Sequence, residues 1–255
     1  MSFDIEEFDM PLEYDGKISF EKQISLSQTG VMKILDILKK HQIKATFFST
    51  VIFAENSKHL IQRLLKEGHE LASHTWFHSK FEEKDLKRSR EKLEELFSTN
   101  VTGLRMPRMM PVDKKEVEKA GYLYNSSINP TFIPGRYNNL KVSRTYFREG
   151  NVTQIPASVS PNFRIPLFWL SFHNFPLNFY KKIVIDTLKK DNYLNIYFHP
   201  WEFAEIKNPD FKLPRFTIKN SGNDMVERFD NLVGWLKNRN YKFGTFQEFQ
   251  RQIES

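Results

Sequence analysis

Four short stretches of the chain carry side chains that can bind a metal or move a proton. The first is Ser2-Phe-Asp4-Ile-Glu6-Glu7. In an extended strand alternate side chains share a face, so Asp4 and Glu6 point one way while Phe3 and Ile5 point the other. Carboxylates so placed repel unless a cation or proton separates them; an acidic terminus on its own reads equally as solvated surface. Glu7 follows directly, but alternation turns it away from Asp4 and makes Glu6 the partner.

The second stretch is Ser73-His74-Thr-Trp-Phe-His78. Imidazoles spaced i, i+4 lie on one face of a helical turn and can chelate one metal. Thr75 follows His74 where a zincin helix has Glu, so a general base must come from elsewhere. The third is Leu104-Arg105-Met-Pro107, where Arg105 can orient a carboxylate or pair with one structurally. The fourth is Tyr197-Phe-His199-Pro-Trp201-Glu202. Pro200 ends a strand, and His199 alternates away from Ile196 and Phe198. A strand histidine of this kind is either a hydrogen-bonded core residue or a proton carrier. His41, His59, His69 and His173 lack comparable context and read as surface or packing residues.

The elements around these stretches alternate. Val31, Ile34, Leu35 and Leu38 make one buried helical stripe, followed by a strand over Lys44–Ser49. Ser57 can cap a helix carrying Leu60, Ile61, Leu64 and Leu65, with Gly68 at its stop, and a strand over Glu70–Ser73 leads to His74. A charged helix around Leu86, Leu93 and Leu96 precedes a short strand at Gly103–Arg105. Asp113 caps a helix stopped at Gly121, before a strand over Tyr122–Asn125. Residues 129–165 show little periodicity. A helix near 178–189, a strand over Leu194–Phe198, a helix carrying Val226, Phe229, Val233 and Leu236, and a last strand around Tyr241–Gly244 complete the chain. Strands alternating with helices predict an α/β fold, and about seven parallel strands favour a distorted (β/α) barrel over an open sheet. Each of the four stretches then ends a strand, on the rim where such barrels build active sites. No linker or low-complexity tract divides residues 1–255, which reads as one domain.

Composition narrows the class. The 255 residues contain no cysteine, which excludes disulfides and thiolate metal sites. Lys+Arg 38 against Asp+Glu 31 leaves a net charge of +7. That field favours anionic partners, although the charges alternate in sign as on solvated helix faces. No nucleic-acid motif is present. A phosphate- or lipid-linked substrate would suit the charge. No apolar run approaches the ~20 residues that span a bilayer, and no signal peptide precedes Asp4, so the expectation is a cytoplasmic protein. Ile165–Phe175 is the most apolar segment and reads as buried.

In their order along the chain, Asp-x-Glu, His-x-x-x-His, Arg-x-Pro and the strand-end Phe-His-Pro-Trp resemble the polysaccharide deacetylase family (NodB type, carbohydrate esterase family four), over about residues 2–250. The opening resembles the branch with Asp-x-Glu in place of Thr-Phe-Asp-Asp-Gly. The resemblance implies a distorted barrel and a divalent metal, usually zinc, held by Glu6, His74 and His78. It implies Asp4 as the base for the attacking water, Arg105 as the arginine that orients it, and His199 as the acid that protonates the leaving amine. Trp201 and Asn125 are expected to contact the substrate, an N-acetylated sugar or glycan. Asn125 stands where the family commonly has an Asp supporting the catalytic His, which leaves the partner of His199 open.

The expected activity is metal-dependent removal of an N-acetyl group. Two other readings stand beside it: an allantoinase-like hydrolase of a cyclic imide or ureide on the same scaffold, and a glycan-binding protein without turnover.

Overall fold

The computed structural model describes residues 1–254. Strand β1 (Ser2–Ile5) is followed by helix α1 (Phe20–His41), β2 (Thr46–Ser49), α2 (Val51–Asn56), α3 (Lys58–Lys66) and β3 (Glu70–Ser73). Next come α4 (Asp85–Phe97), β4 (Gly103–Leu104), α5 (Lys114–Lys119) and β5 (Tyr124–Asn125). A hairpin of β6 (Phe132–Ile133) and β7 (Tyr137–Asn138) and a second of β8 (Phe147–Glu149) and β9 (Val152–Gln154) occupy the weakly periodic stretch. The chain finishes with α6 (Trp169–Asn174), α7 (Leu177–Asp191), β10 (Tyr197–Phe198), α8 (Arg215–Ile218), α9 (Asn223–Lys237) and α10 (Phe246–Glu254).

The sheet runs β10-β1-β2-β3-β4-β5-β9-β8. Its neighbours are parallel except for β8, which turns back antiparallel on β9. Seven strands therefore share one direction and one C-terminal rim, as the alternation of elements predicts. The sheet is curled and open, with β10 and β8 as its edges. The strand expected around Tyr241–Gly244 does not form. Tyr241 and Phe243 are partly buried and pack on the core as irregular chain, so β10 pairs only with β1.

Register explains the split of side chains. Phe3 aligns with Phe47 and with Phe198, and Phe47 with Leu71; all four are buried beneath the helices. Val31, Ile34, Leu35 and Leu38 of α1 are fully covered, as are Phe229 and Val233 of α9. Alternation then turns Asp4, Phe48 and Ala72 to the concave side, where Phe48 meets Tyr124 and Phe246 edge-on. Helix α1 approaches the turn after β10 very closely: a Cβ on Gly30 would lie 1.7 Å from the Pro200 carbonyl oxygen, so only glycine fits there.

Helix starts follow the sequence unevenly. Ser19, Thr50 and Asp113 each accept a backbone N–H at the head of α1, α2 and α5. Ser57 sits at the head of α3 but makes no such bond, because its hydroxyl accepts from Gln28.

His69, just before β3, fixes the start of β2: the Ala45 N–H donates to its Nδ1 at 3.2 Å. That nitrogen must be bare. Burial, opposed by the Glu67 carboxylate, lowers the pKa of His69 from 6.5 to about 4. The unfolded chain takes up this proton at higher pH than the native one. Stability is therefore full above pH 6.5 and declines as pH falls through the window down to about 4, by at most ~3 kcal/mol. Urea unfolding of wild type and His69→Gln across that window should give a steeper pH slope for wild type; equal slopes would remove His69 as the cause.

Candidate active site

The parallel rim brings the four stretches together. Asp4 lies in β1, Glu6 just past it, His74 just past β3, Arg105 just past β4 and His199 just past β10. Asp4, Glu6, His74, His78, His199 and Trp201 line one cavity of about 320 Å³. Much of the remaining wall is aromatic, from Tyr137, Phe168, Trp169, Tyr197 and Phe216.

His74 and His78 do not lie on a helical turn. The chain leaves β3 as a loop in which Thr75 takes the left-handed conformation (φ 65°), and the two rings stack at 6.0 Å. The i, i+4 spacing still converges, through a different backbone. His74 Nδ1 faces the Arg105 carbonyl oxygen at 2.8 Å, and His78 Nδ1 faces Asp9 Oδ1 at 2.6 Å. Both partners accept, so each Nδ1 carries the proton and each Nε2 points inward.

Both Nε2 atoms approach the same oxygen. Glu6 Oε2 lies 3.0 Å from that of His74 and 3.4 Å from that of His78, yet it is buried and accepts no well-directed hydrogen bond. Among the described residues these three side chains are the group able to hold a metal ion, with ligand atoms within 4.8 Å of one another. The donor set fits a divalent cation: two neutral imidazoles and a carboxylate, each imidazole fixed from behind by an oxygen. Burial pushes Glu6 up, but the His78 charge, the close approach of His74 and the His199 and His74 charges outweigh it and hold Glu6 at about 2. Burial pushes His78 down, but Glu6 and Asp9 outweigh it and raise His78 to about 9.

Glu7 turns away from this point. It accepts from Thr50 Oγ1 at 2.8 Å and from the His78 backbone N–H at 2.8 Å, tying β1 to the His78 loop. Asp9 is the residue that sequence reasoning passed over. It bonds His78 and Ser79, and Arg108 pairs with its charge at 3.6 Å. Nothing in its local pattern marks it, because its partners lie some 70 residues away in sequence.

Asp4 belongs to a second pair. Arg105 Nη1 donates to Asp4 Oδ1 at 2.6 Å, and both side chains are almost wholly buried. Arg105 is held in turn by Ser126 through its carbonyl (3.1 Å) and hydroxyl (2.9 Å), and lies over the Phe48 ring at 4.2 Å. Asp4 Oδ2 faces the cavity, 4.0 Å from His199 Nε2. His199 stacks on Trp201 with ring centres 4.9 Å apart, and Trp201 stacks on Phe8. Trp201 thus lines the cavity, though it is 1% exposed. Asn125, expected beside the substrate, is buried outside the cavity; its amide donates to Gln154 at 3.0 Å and its oxygen accepts from Ser127 at 2.5 Å. His199 is met instead by Glu202, with Oε1 3.0 Å from Nδ1.

Removing Arg105 leaves Asp4 buried without a counter-charge, which costs about 3–5 kcal/mol for buried pairs of this kind. Arg105→Met should lose that much stability in chemical denaturation, and Asp4→Asn combined with Arg105→Met should regain part of it. No recovery in the double variant would show that the pair is not coupled.

Comparison with known proteins shows what the chain is similar to. Residues 16–124 match the polysaccharide deacetylase family model. The chain is 31% identical over 121 residues to the peptidoglycan-N-acetylmuramic acid deacetylase PdaA of Bacillus subtilis, covering 43% of this chain and 45% of that protein. The chain thus spans less than half the length of that relative. The fold is similar to a probable polysaccharide deacetylase from Pseudomonas aeruginosa PAO1 (TM-score 0.68, 13% identity, 98% of this chain and 88% of that one). It is also similar to Puue allantoinase (TM-score 0.67, 15% identity, 98% and 87%). Residues 16–124, which carry β2 to β4, thus resemble the polysaccharide deacetylase family, and the curled sheet of the whole chain has the fold of a probable polysaccharide deacetylase.

Proposed function

We propose that the protein is a divalent-metal-dependent hydrolase that removes the N-acetyl group from an N-acetylated sugar or glycan. The observation that carries this reading is the convergence of two inward Nε2 atoms on an unbonded, buried Glu6 oxygen at the wall of the same cavity as Asp4 and His199. Zinc suits two imidazoles and one carboxylate, which leave a coordination position open. When bound, such a cation lowers the pKa of water and polarises an acetyl carbonyl.

The chain's own residues supply the rest. Asp4 keeps Oδ1 on Arg105 and presents Oδ2 to the cavity, where it can take a proton from the attacking water. His199 holds Nε2 toward the same space; as imidazolium it can give a proton to the departing amine, which leaves only when protonated. Burial pushes the His199 pKa down, but the Glu202 bond and the Glu6, Glu202 and Asp4 charges outweigh it and raise it, keeping the acid form to higher pH. The aromatic wall offers apolar faces for a sugar ring.

The test is acetate release from N-acetylhexosamine oligomers, with allantoin as a control substrate, before and after chelation and zinc add-back. His74→Ala and His78→Ala should each yield protein with little bound metal by elemental analysis. Asp4→Asn should retain its metal and lose ~10²–10⁴-fold in rate. Full metal occupancy in either histidine variant, or turnover of allantoin in place of acetylated sugars, would overturn the reading.

A further inference from the structure

Behind His199 lies a buried carboxylate with no Lys or Arg partner among the described residues. Glu202 is 0% exposed, and its ion-pairing contacts are two imidazoles. Pro200 starts a tight turn directly after His199, which returns Glu202 beneath it. Oε1 accepts the His199 backbone N–H at 2.5 Å and faces its Nδ1 at 3.0 Å. Oε2 faces His173 Nε2 at 2.8 Å. His173 is itself 0% exposed, and its Nδ1 meets the backbone carbonyl oxygen of Lys219.

A count of protons follows from these partners. The Lys219 carbonyl can only accept, so His173 Nδ1 carries a proton. Oε1 of Glu202 already receives the His199 N–H and faces Nδ1, so it is a bare carboxylate oxygen whose second donor is Nδ1–H of His199. Oε2 then confronts Nε2 of His173. Two lone pairs cannot face each other at 2.8 Å. A proton lies between them. A fully buried carboxylate also needs a compensating charge, and a doubly protonated His173 supplies it.

We propose that Glu202 is the positioning residue for His199, acting as the middle of a buried His199–Glu202–His173 chain in which His173 carries protons on both ring nitrogens. The role of His199 itself rests on the deacetylase reading above; the arrangement behind it does not. Glu202 holds the proton of neutral His199 on Nδ1 and leaves Nε2 free for the cavity. The Trp201 ring stacked at 4.9 Å and the Trp169 edge at 5.3 Å fix the plane of the imidazole, and Glu202 fixes its rotation. Toward the cavity, Asp4 and Glu6 add their charges. The chain also accounts for Asn125: its amide is engaged by Gln154 and Ser127, and His199 has a carboxylate from its own turn.

Glu202→Gln is the informative variant, because glutamine fits the same space. Its oxygen can serve His199 while its NH₂ donates to a bare Nε2 on His173, so the fold is retained while one proton is lost. Multiple-bond ¹H–¹⁵N correlation spectra of the zinc-loaded protein read each ring nitrogen directly and need no substrate. In wild type at neutral pH, His173 should show both nitrogens protonated; in Glu202→Gln it should show Nδ1 alone. With chitotetraose as substrate, Glu202→Gln should lose ~10²–10⁴-fold in kcat with little change in KM, and its alkaline limb should move to lower pH. Singly protonated His173 in wild type overturns the proposal, as does a Glu202→Gln enzyme with unchanged kcat. If wild type releases no acetate from chitotetraose, the deacetylase reading is what fails on that substrate, and the spectra alone decide the chain.

Discussion

Two carboxylates stand two residues apart at the end of one buried strand, and neither can be there without a positive charge beside it. Asp4 is 3% exposed and Glu6 is 3% exposed. The desolvation of each is worth several kcal/mol, so each must be paired. Much of the surrounding structure can be understood as the supply of those charges. β4 ends on Arg105 for Asp4, and β3 ends on the loop that brings His74 and His78 to Glu6. The parallel sheet makes this economical, since neighbouring strands deliver their ends to the same rim.

The partners have partners of their own. Asp9 bonds His78, Glu7 ties the same loop to Thr50, and Ser126 grips Arg105. Position is therefore set by a continuous network of buried polar bonds, in which each member is oriented from behind. At the other end of the rim the device is different. His199 is fixed by aromatic stacking and by a turn seated against α1, where Gly30 allows the backbones to touch.

How much of this was legible in the sequence depended on the range of the interaction. Helices with a 3.6-residue apolar stripe and strands with clean alternation, such as α1 and β2, declare themselves locally, and they set the order of the rim. Asp4, Glu6, His74, His78, Arg105 and His199 were legible because each is polar where a buried strand ends. The helical turn expected for the two histidines is a loop, since spacing fixes convergence but not the backbone that achieves it. The expected strand at Tyr241–Gly244 carries buried aromatics yet has no strand to pair with, and hydrophobicity alone does not reveal pairing. Asp9 is unmarked in the sequence, and His173 reads there only as a surface or packing residue, because their bonds span 69 and 29 residues. Glu202 was closer to legible: a Pro directly after His199 and an acid three residues on is the spacing of a capping turn.

The two carboxylates of the first motif differ most in what neutralises them, and that difference separates what each is able to do. Arginine is a permanent cation fixed by its own bonds, so nothing that enters the cavity displaces it from Asp4 Oδ1. Asp4 keeps one oxygen committed and one exposed to chemistry. The imidazoles around Glu6 are exchangeable partners: each has its outer nitrogen tied to an oxygen and its inner nitrogen able to hold either a proton or a cation. Alternation along one strand puts both acids on the same face, but only environment makes one suited to moving protons and the other to holding a charge in place. Exchanging Arg105 and the histidines between the two acids would exchange those capacities, with no change in the acids themselves.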